Sequence, residues 1–567
     1  MTVNMFKKVF GTTMAVALVG TALVACSNNN NNASSSSSPS ASSSASASAS
    51  ATSSGEPKEF RFSLTEPPSL DPSLLKDAQS IIVGQGLFEG LTRLDAAGEP
   101  QPAAATNWDI SEDGKTYTFH LRDGLKWSNG DPVLASDFEF AWKRTLAPET
   151  ASDYAYFLYY IQGGTEYNAG EGSADDVGVK ALDEKTLEVK LANPTPYFVS
   201  LTAHNSYWPE NQKVVEADEA WATEASTIVT NGAFTLKEWE HNDHLTLVKN
   251  PDYWDAANIH FDTVSIAPLT DDANTQYNAF QAGDIDWLGA QAGSVPTDHT
   301  AQDIASGAAQ VQPVASTYYY EFNTTKAPFN NAKIRKAFSL AIDRQSIIDN
   351  ITKANQTPAY ALVPPSIAGD GGKKFRELYP DTSFGSTNVE EAKKLLQEGL
   401  DELGMSELPP VTLLYNTDEG HQKIAEAAAD MWRTALGVEV DVQNQEWGTF
   451  LETRSAQQFD IARAGWGADF NDPINFTYDL IYSKSGNNNG KYSNTEVDKL
   501  LDESLMTTDN AKRMELIAQA EKIAMADDTA VLPFYYYTTV TEIKPGITGV
   551  ESDYGGHLHW VYGDIQQ

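Results

Sequence analysis

One cysteine occurs in 567 residues, and it is Cys26, at the end of an apolar leader. Everything after it folds without an intramolecular disulfide, a thiolate metal cluster or a cysteine nucleophile. Roughly 510 residues remain beyond the leader and the polar stretch that follows it, which exceeds what one core can organise. The body therefore divides into two or three domains, and no internal repeat is found. Strands and helices alternate irregularly along it, which predicts an α/β fold and excludes a pure bundle or sandwich.

The N-terminal 26 residues read as a signal peptide. Lys7 and Lys8 supply a basic start, Val9 to Ala25 an apolar run too short for a membrane span, and Leu23-Val24-Ala25-Cys26 the ending. That ending matches the bacterial lipobox, in which the cysteine is cleaved free and acylated (with palmitate, for example), so Cys26 is the expected lipidation site. Residues 27–57 are almost wholly Asn, Ser and Ala, with nothing to bury, and read as a disordered tether. A long tether on a lipid suits a cell without an outer membrane, which predicts the outer face of the cytoplasmic membrane of a Gram-positive bacterium.

The formal net charge is −39, and removal of Lys7 and Lys8 makes the mature chain more acidic still. A basic footprint for nucleic acid is missing. The acidity keeps the body in water but names no ligand.

Glu59 to Leu64 alternates as a first strand, a helical run follows from Ser80 to Leu91, and Thr116 to Arg122 is another strand. Ser136-Asp-Phe-Glu139 reads as a capping box opening the helix with Phe140, Trp142 and Leu146. Thr186 to Leu191 and Leu245 to Lys249 are further strands. Beyond Ser316 the rhythm changes to that of a separate α/β lobe: an aromatic strand (Thr317–Asn323), helices over 332–342 and 389–396, and a strand over 411–415. A helix from His421 to Leu436, a strand over 438–442, two helices within 496–526 and a closing strand (531–537) complete it.

The stretch Phe459 to Pro473, FDIARAGWGADFNDP, is the most telling. It opens as an alternating strand and becomes small around Trp466, so that another backbone can approach closely. Asp469 follows at once. A lone carboxylate there suits a single cation better than acid/base chemistry, which needs a second titratable partner. A strand followed by a tight turn is the plain alternative.

Together with Ser69-Leu-Asp-Pro72, Leu87-Phe-Glu-Gly-Leu91, Trp127-Ser-Asn-Gly-Asp-Pro132, Asp137-Phe138, Asn231-Gly-Ala-Phe-Thr-Leu236, Asn250-Pro-Asp-Tyr-Trp254, Gly283-Asp-Ile-Asp286, Tyr318-Tyr-Tyr-Glu-Phe-Asn323 and Asn444-Gln-Glu-Trp447, this stretch resembles the oligopeptide-binding lipoproteins of bacterial ABC importers. These belong to the extracytoplasmic solute-binding proteins of family 5, the peptide/nickel type. The resemblance runs nearly end to end. It implies a three-domain periplasmic-binding-protein-like clamshell (type II, cluster C). Domain I is discontinuous (58–88, 213–314 and 533–567), domain II is inserted (89–212), and domain III is an α/β lobe (315–532).

A peptide would lie in the cleft as an added strand. By resemblance Gly465, Trp466 and Gly467 pair with its backbone, and Asp469 receives its α-ammonium group. Arg454 and His421 meet its C-terminal carboxylate, Arg463 and Glu321 pair across the lining, and Tyr154 and Tyr537 touch the peptide. The plain alternatives are an ion pair for Arg463, core or hinge positions for the tyrosines, a solvated helix end for His421, and simple packing for Trp447. Where enterobacterial relatives carry a disulfide, this chain has Ser316 and Gly467.

The resemblance implies a monomer with peptides, ABC permease subunits with their ATPases, and the membrane through Cys26 as partners, and no cofactor. A dipeptide, nickel chelate or haem on the same fold is the nearest alternative. A surface hydrolase fits less well: there is no Gly-x-Ser-x-Gly elbow and no His-Glu-x-x-His helix. His241-Asn-Asp-His244 and His557-Leu-His559 read as surface pairs without a third metal ligand.

Overall fold

Three sheets organise the chain in a computed structural model that describes residues 57–566 apart from Ser383. Cys26, the leader and the tether lie outside the described residues. Strand β1 (Glu59–Leu64) is followed by helix α1 (Ala78–Leu87). Asp77 caps α1, its Oδ1 accepting the Ser80 N–H at 2.9 Å. The helix therefore starts before Ser80, and it ends at Leu87, because Phe88 is already extended.

Strands β2 (Ala105–Ile110) and β3 (Thr116–Leu121), helix α2 (Ala135–Leu146), and strands β4 (Val179–Ala181) and β5 (Thr186–Lys190) come next. The strands form an antiparallel sheet in the order β2-β3-β5-β4. The expected capping box is displaced by two residues. Leu134 is the N-cap, and the Asp137 carboxylate accepts its N–H at 2.9 Å and the Trp127 indole N–H at 3.0 Å. Glu139 turns instead to Lys143 and to the Ala181 N–H.

Strands β6 (Phe234–Glu240), β7 (His244–Lys249) and β8 (Thr263–Leu269) return to β1, giving the order β1-β8-β7-β6 with β1 and β8 parallel. His241 sits in the turn between β6 and β7, exposed, with Nδ1 2.8 Å from Glu66 Oε1, in keeping with the surface reading.

The third sheet carries the site. Its main path runs through β9 (Trp287–Leu288), β10 (Gln310–Phe322), β11 (Val411–Asn416), β12 (Val440–Gln445), β13 (Ile461–Gly467) and β14 (Val531–Ile543), in the order β9-β14-β10-β13-β11-β12, with Thr357–Pro358 paired to β14 off that path. The helices threaded among them are α3 (Ala332–Leu340), α4 (Val389–Leu403), α5 (Glu419–Leu436), α6 (Trp447–Ser455), α7 (Ile474–Ile481), α8 (Thr495–Leu505) and α9 (Asn510–Lys522).

Two apolar cores meet at β10. Tyr319 packs into the larger one, with β1, α1, α2 and the C-terminal segment, while Tyr318, Tyr320 and Phe322 pack with α3, α4 and α5 in the other. Period-two alternation sends successive side chains to opposite faces, so a strand covered on both sides reads as the continuous aromatic run seen here. No helix among the described residues is long and apolar enough to cross a membrane.

Candidate functional site

Strand β13 has one paired edge and one open edge. Its antiparallel register with β10 runs the whole way, from Phe322 opposite Ile461 to Ser316 opposite Gly467. On the other side β11 pairs with it only at Leu413–Ile461 and Leu414–Ala462, then continues with β12. Arg463 to Gly467 therefore present a strand edge without a partner strand among the described residues, a template for another extended chain. The small residues matter at this edge. A Cβ on Gly465 would lie 3.2 Å from Arg463 Nη2 and 3.4 Å from the Tyr537 hydroxyl, and one on Gly467 would approach only Ser316 Oγ, at 3.8 Å. Ser316 and Gly467, the positions without the disulfide, stand directly opposite each other, and Ser316 Oγ donates to the Trp466 carbonyl at 2.9 Å.

Asp469 stands just beyond the open edge. A cavity of about 390 Å³ runs from Tyr537 past Ser316 and Gly467 to Asp469. A second, of about 230 Å³, joins Asp469 to Tyr154, His204 and Tyr253, and both share Ala468, Asp469 and His557. The Asp469 carboxyl is half-buried between these cavities, and burial raises its pKa to about 6, against the pull of an Asn475 N–H and of His557. Asn475, itself buried, accepts the Asp469 N–H at 2.8 Å and the Trp466 indole N–H at 3.3 Å through Oδ1, while Nδ2 donates to Asp469 Oδ2 at 3.1 Å and to Asp479 Oδ2 at 2.7 Å. Helix α7 supplies both Asn475 and Asp479, one turn apart on one face. Burial and the neighbouring Asp469 raise Asp479 to about 7.

At the other end of the open edge Arg463 forms no salt bridge among the described residues. Its guanidinium donates to the Tyr537 hydroxyl (3.0 Å) and to Asn416 Oδ1 (3.4 Å), lies 4.9 Å from the Tyr318 ring centroid, and leaves Nε buried without an acceptor. The Tyr318 and Tyr320 hydroxyls are also buried and unpartnered. His421 lies in the first turn of α5, its N–H capped by Asp418 at 2.8 Å and its ring 5.6 Å from Tyr318. It is half-buried, not a solvated helix end. Burial, then Arg463, lowers its pKa to about 4, so it is a neutral imidazole at pH 7.

Two expectations about this end need correction. Arg463 does not pair with Glu321. The register sets Arg463 opposite Tyr320 and Glu321 opposite Ala462, so the two side chains leave the sheet on opposite faces. Glu321 instead takes Arg454 from α6 in a bidentate pair, Nε to Oε2 at 2.8 Å and Nη2 to Oε1 at 3.0 Å, with both groups nearly enclosed. Arg454 is thus engaged, and meeting a ligand's carboxylate would mean breaking a buried ion pair. The structure brings Gly467, Tyr537 and Asp469 around one cavity and Tyr154 and Asp469 around the other. Arg454, Glu321, Arg463 and His421 line neither. Trp447 is 53% exposed, so it is not a packing indole.

The family model for bacterial extracellular solute-binding proteins, family 5 (middle), matches residues 99–489. The chain belongs to this family. As a family 5 protein it is 44% identical over 490 residues to the oligopeptide-binding protein OppA of Bacillus subtilis (strain 168), covering 86% of this chain and 88% of that one. The unliganded open form of the periplasmic murein tripeptide binding protein MppA superposes with a TM-score of 0.76 at 34% identity, covering 90% of this chain and 98% of the other. Haemophilus influenzae OppA in complex with the peptide RPPGFSPFR gives a TM-score of 0.75 at 34% identity, covering 90% and 100%. The fold is thus the multidomain clamshell of these binding proteins.

Three residues around Asp469 escape the reading of the sequence. Asn475 and Asp479 are a polar pair at i and i+4 on an otherwise apolar helix, a signal that was available. His557, read as one of a surface pair, is half-buried and borders both cavities, with Nδ1 3.3 Å from Asp553 Oδ1.

Proposed function

We propose that this chain is a non-catalytic, extracytoplasmic receptor that captures short peptides in its cleft and delivers them to an ABC importer. The observation that carries the proposal is the open edge of β13 from Arg463 to Gly467, with an uncompensated carboxylate, Asp469, just past its end. An extended peptide adds to that edge through main-chain hydrogen bonds, which makes recognition tolerant of side chains. Its ammonium group pairs with Asp469, a charge-assisted contact about twice as strong as a neutral one in a site shielded from water. Its carboxylate turns toward Arg463, the cation without a carboxylate partner, with His421 beside it. Tyr154 and Tyr537 wall the two cavities.

The peptide ligands named for the relatives support the same reading. Domain I (58–88, 213–314, 533–567) and domain III (315–532) close over the ligand, and domain II (89–212) is carried as an insertion. Cys26 carries the lipid that holds the receptor, as a monomer, on the outer face of the cytoplasmic membrane of a Gram-positive cell, near its permease.

Native mass spectrometry of the purified protein, followed by denaturation, tests the proposal. A ladder of short peptides released from it is the expected result. Protein that emerges empty and binds a metal chelate or haem, but no peptide, overturns it.

A further inference from the structure

Asp469 is not alone. Asn475 gives one amide N–H to Asp469 and the other to Asp479, and its oxygen accepts the Asp469 N–H and the Trp466 indole N–H. All the donor and acceptor directions of the amide are in use, so it cannot turn to favour one carboxylate. It is a neutral spacer between two acids that both need a positive charge.

Among the described residues one basic side chain answers, His557, and its pull on Asp469 does not undo the upward shift. From the 152–160 segment Tyr154 and Tyr156 face Asp469, and from the C-terminal segment Tyr554 and His557 do, with His557 already bound to Asp553. Asp479 is faced by Tyr156, Tyr160 and Tyr197, and by Tyr478 on its own helix. The arginine beside Tyr197, Arg513, is committed to Asp472 through both terminal nitrogens. Among the described residues neither Lys nor Arg pulls on Asp469 or Asp479.

We propose that Asp469, Asn475 and Asp479 form one ammonium-receiving unit that holds a proton on its two carboxyls while empty and releases it when a peptide amine docks. The inference rests on the reading of Asp469 as the ammonium partner. Like charges on two half-buried carboxyls that share one amide oppose each other, so below neutrality a proton neutralises one of them. The docking ammonium brings one positive charge, the proton leaves to solvent, and the net charge of the unit stays at minus one throughout. Asn475 is the positioning residue, and Asp479 is the second store of the proton. The upward shift of both acids, through burial first, agrees with this.

Affinity for a free-amine peptide therefore rises with pH through the range in which the empty unit still holds its proton, from about 5 to 7. It levels off near neutrality and falls above about pH 8, where the peptide amine itself deprotonates.

Isothermal titration of the purified protein with trialanine at pH 6.5, in phosphate and in imidazole buffer, counts the protons. Their different ionisation enthalpies turn proton release into a difference in observed heat. The expected release is roughly half a proton or more per peptide, falling several-fold in Asp479→Asn. Equal heats in the two buffers with normal binding overturn this inference and leave the peptide reading intact. No binding of trialanine in either buffer overturns both. Release that persists in Asp479→Asn and vanishes in His557→Gln puts the proton on the histidine and overturns the role of Asp479. If Asp479→Asn fails to fold, the two-buffer comparison on His557→Gln decides: release that persists keeps the proton on the carboxyls, and release that vanishes overturns the inference.

Discussion

The two ends of the open β13 edge are built on opposite principles. At the acid end, two carboxyls share one amide and face no Lys or Arg among the described residues, with His557 alone pulling on Asp469, so much of their charge is left for a ligand or a proton. At the basic end, three nitrogenous side chains are present but two are spent. Arg454, on the other face of the sheet, is locked to Glu321, and His421 is held neutral by burial and by Arg463, which leaves Arg463, among the described residues, as the cation there without a carboxylate partner. A receptor built this way grips the amine of its ligand through fixed, half-buried acid and meets the carboxylate with one arginine among tyrosines. Tolerance of peptide length belongs at the softer end.

The largest effect separates structure from binding at the basic end. Glu321→Ala leaves Arg454 buried and unpaired, which costs about 3–5 kcal/mol of stability, read as a lowered denaturation midpoint. Glu321→Ala with Arg454→Met recovers much of that loss if the pair is structural, and peptide affinity follows neither change. A pair that instead served the ligand would show its loss in affinity at unchanged stability.

Arg463→Met comes next. Losing one charged hydrogen-bond partner of the ligand's carboxylate costs about 1.5–3 kcal/mol of affinity in titration calorimetry, and C-terminally amidated peptides lose less than free acids. Equal losses for the two ligand forms would detach Arg463 from the carboxylate.

The smallest effects are in pH, and their signs differ between the ends. Asp479 has a folded pKa raised to about 7 from the usual carboxylate value. The folded state therefore binds more protons than the unfolded state between about pH 4 and 7, and stability drains away as pH rises through that window. Asp479→Asn removes the penalty, raising the melting temperature at pH 7.5 by an amount worth on the order of 1–3 kcal/mol and changing little at pH 4. His421 is the reverse, lowered to about 4. Its unfolded form takes up a proton first as pH falls from about 6.5 to 4, so stability is lost on acidification, and His421→Leu gains at pH 5 and not at pH 7.5. Thermal scans of both variants against pH check the pair, and parallel shifts would erase the distinction between the ends.

Much of this was legible in the sequence. The aromatic run of β10 and the small residues of β13 carry their own periodicity, and Asp469 follows a strand whose composition invites another backbone. What was not legible depends on register and on the return of distant segments. Whether Glu321 meets Arg463 or Arg454 turns on a single-residue offset, because one step along a strand reverses the face. His557 is a surface residue or a neighbour of Asp469 according to where the C-terminal segment folds back, which local pattern does not record. Ser136 looked like an N-cap, but Asp137 reaches back to Leu134 because Trp127 fixes its carboxylate from outside the helix. Asn475 and Asp479 were within reach, as a polar stripe on an apolar helix.

The most direct measurement is titration of one tripeptide, with a free and with an acetylated amine, into the unaltered chain and into Asp469→Asn. With the amine on Asp469, acetylation weakens binding to the unaltered chain by about 2–5 kcal/mol, a factor of roughly 30 or more. Asp469→Asn shows a loss of that order for the free amine and little further loss on acetylation. Free-amine peptide bound equally well by both proteins would contradict the account at its centre.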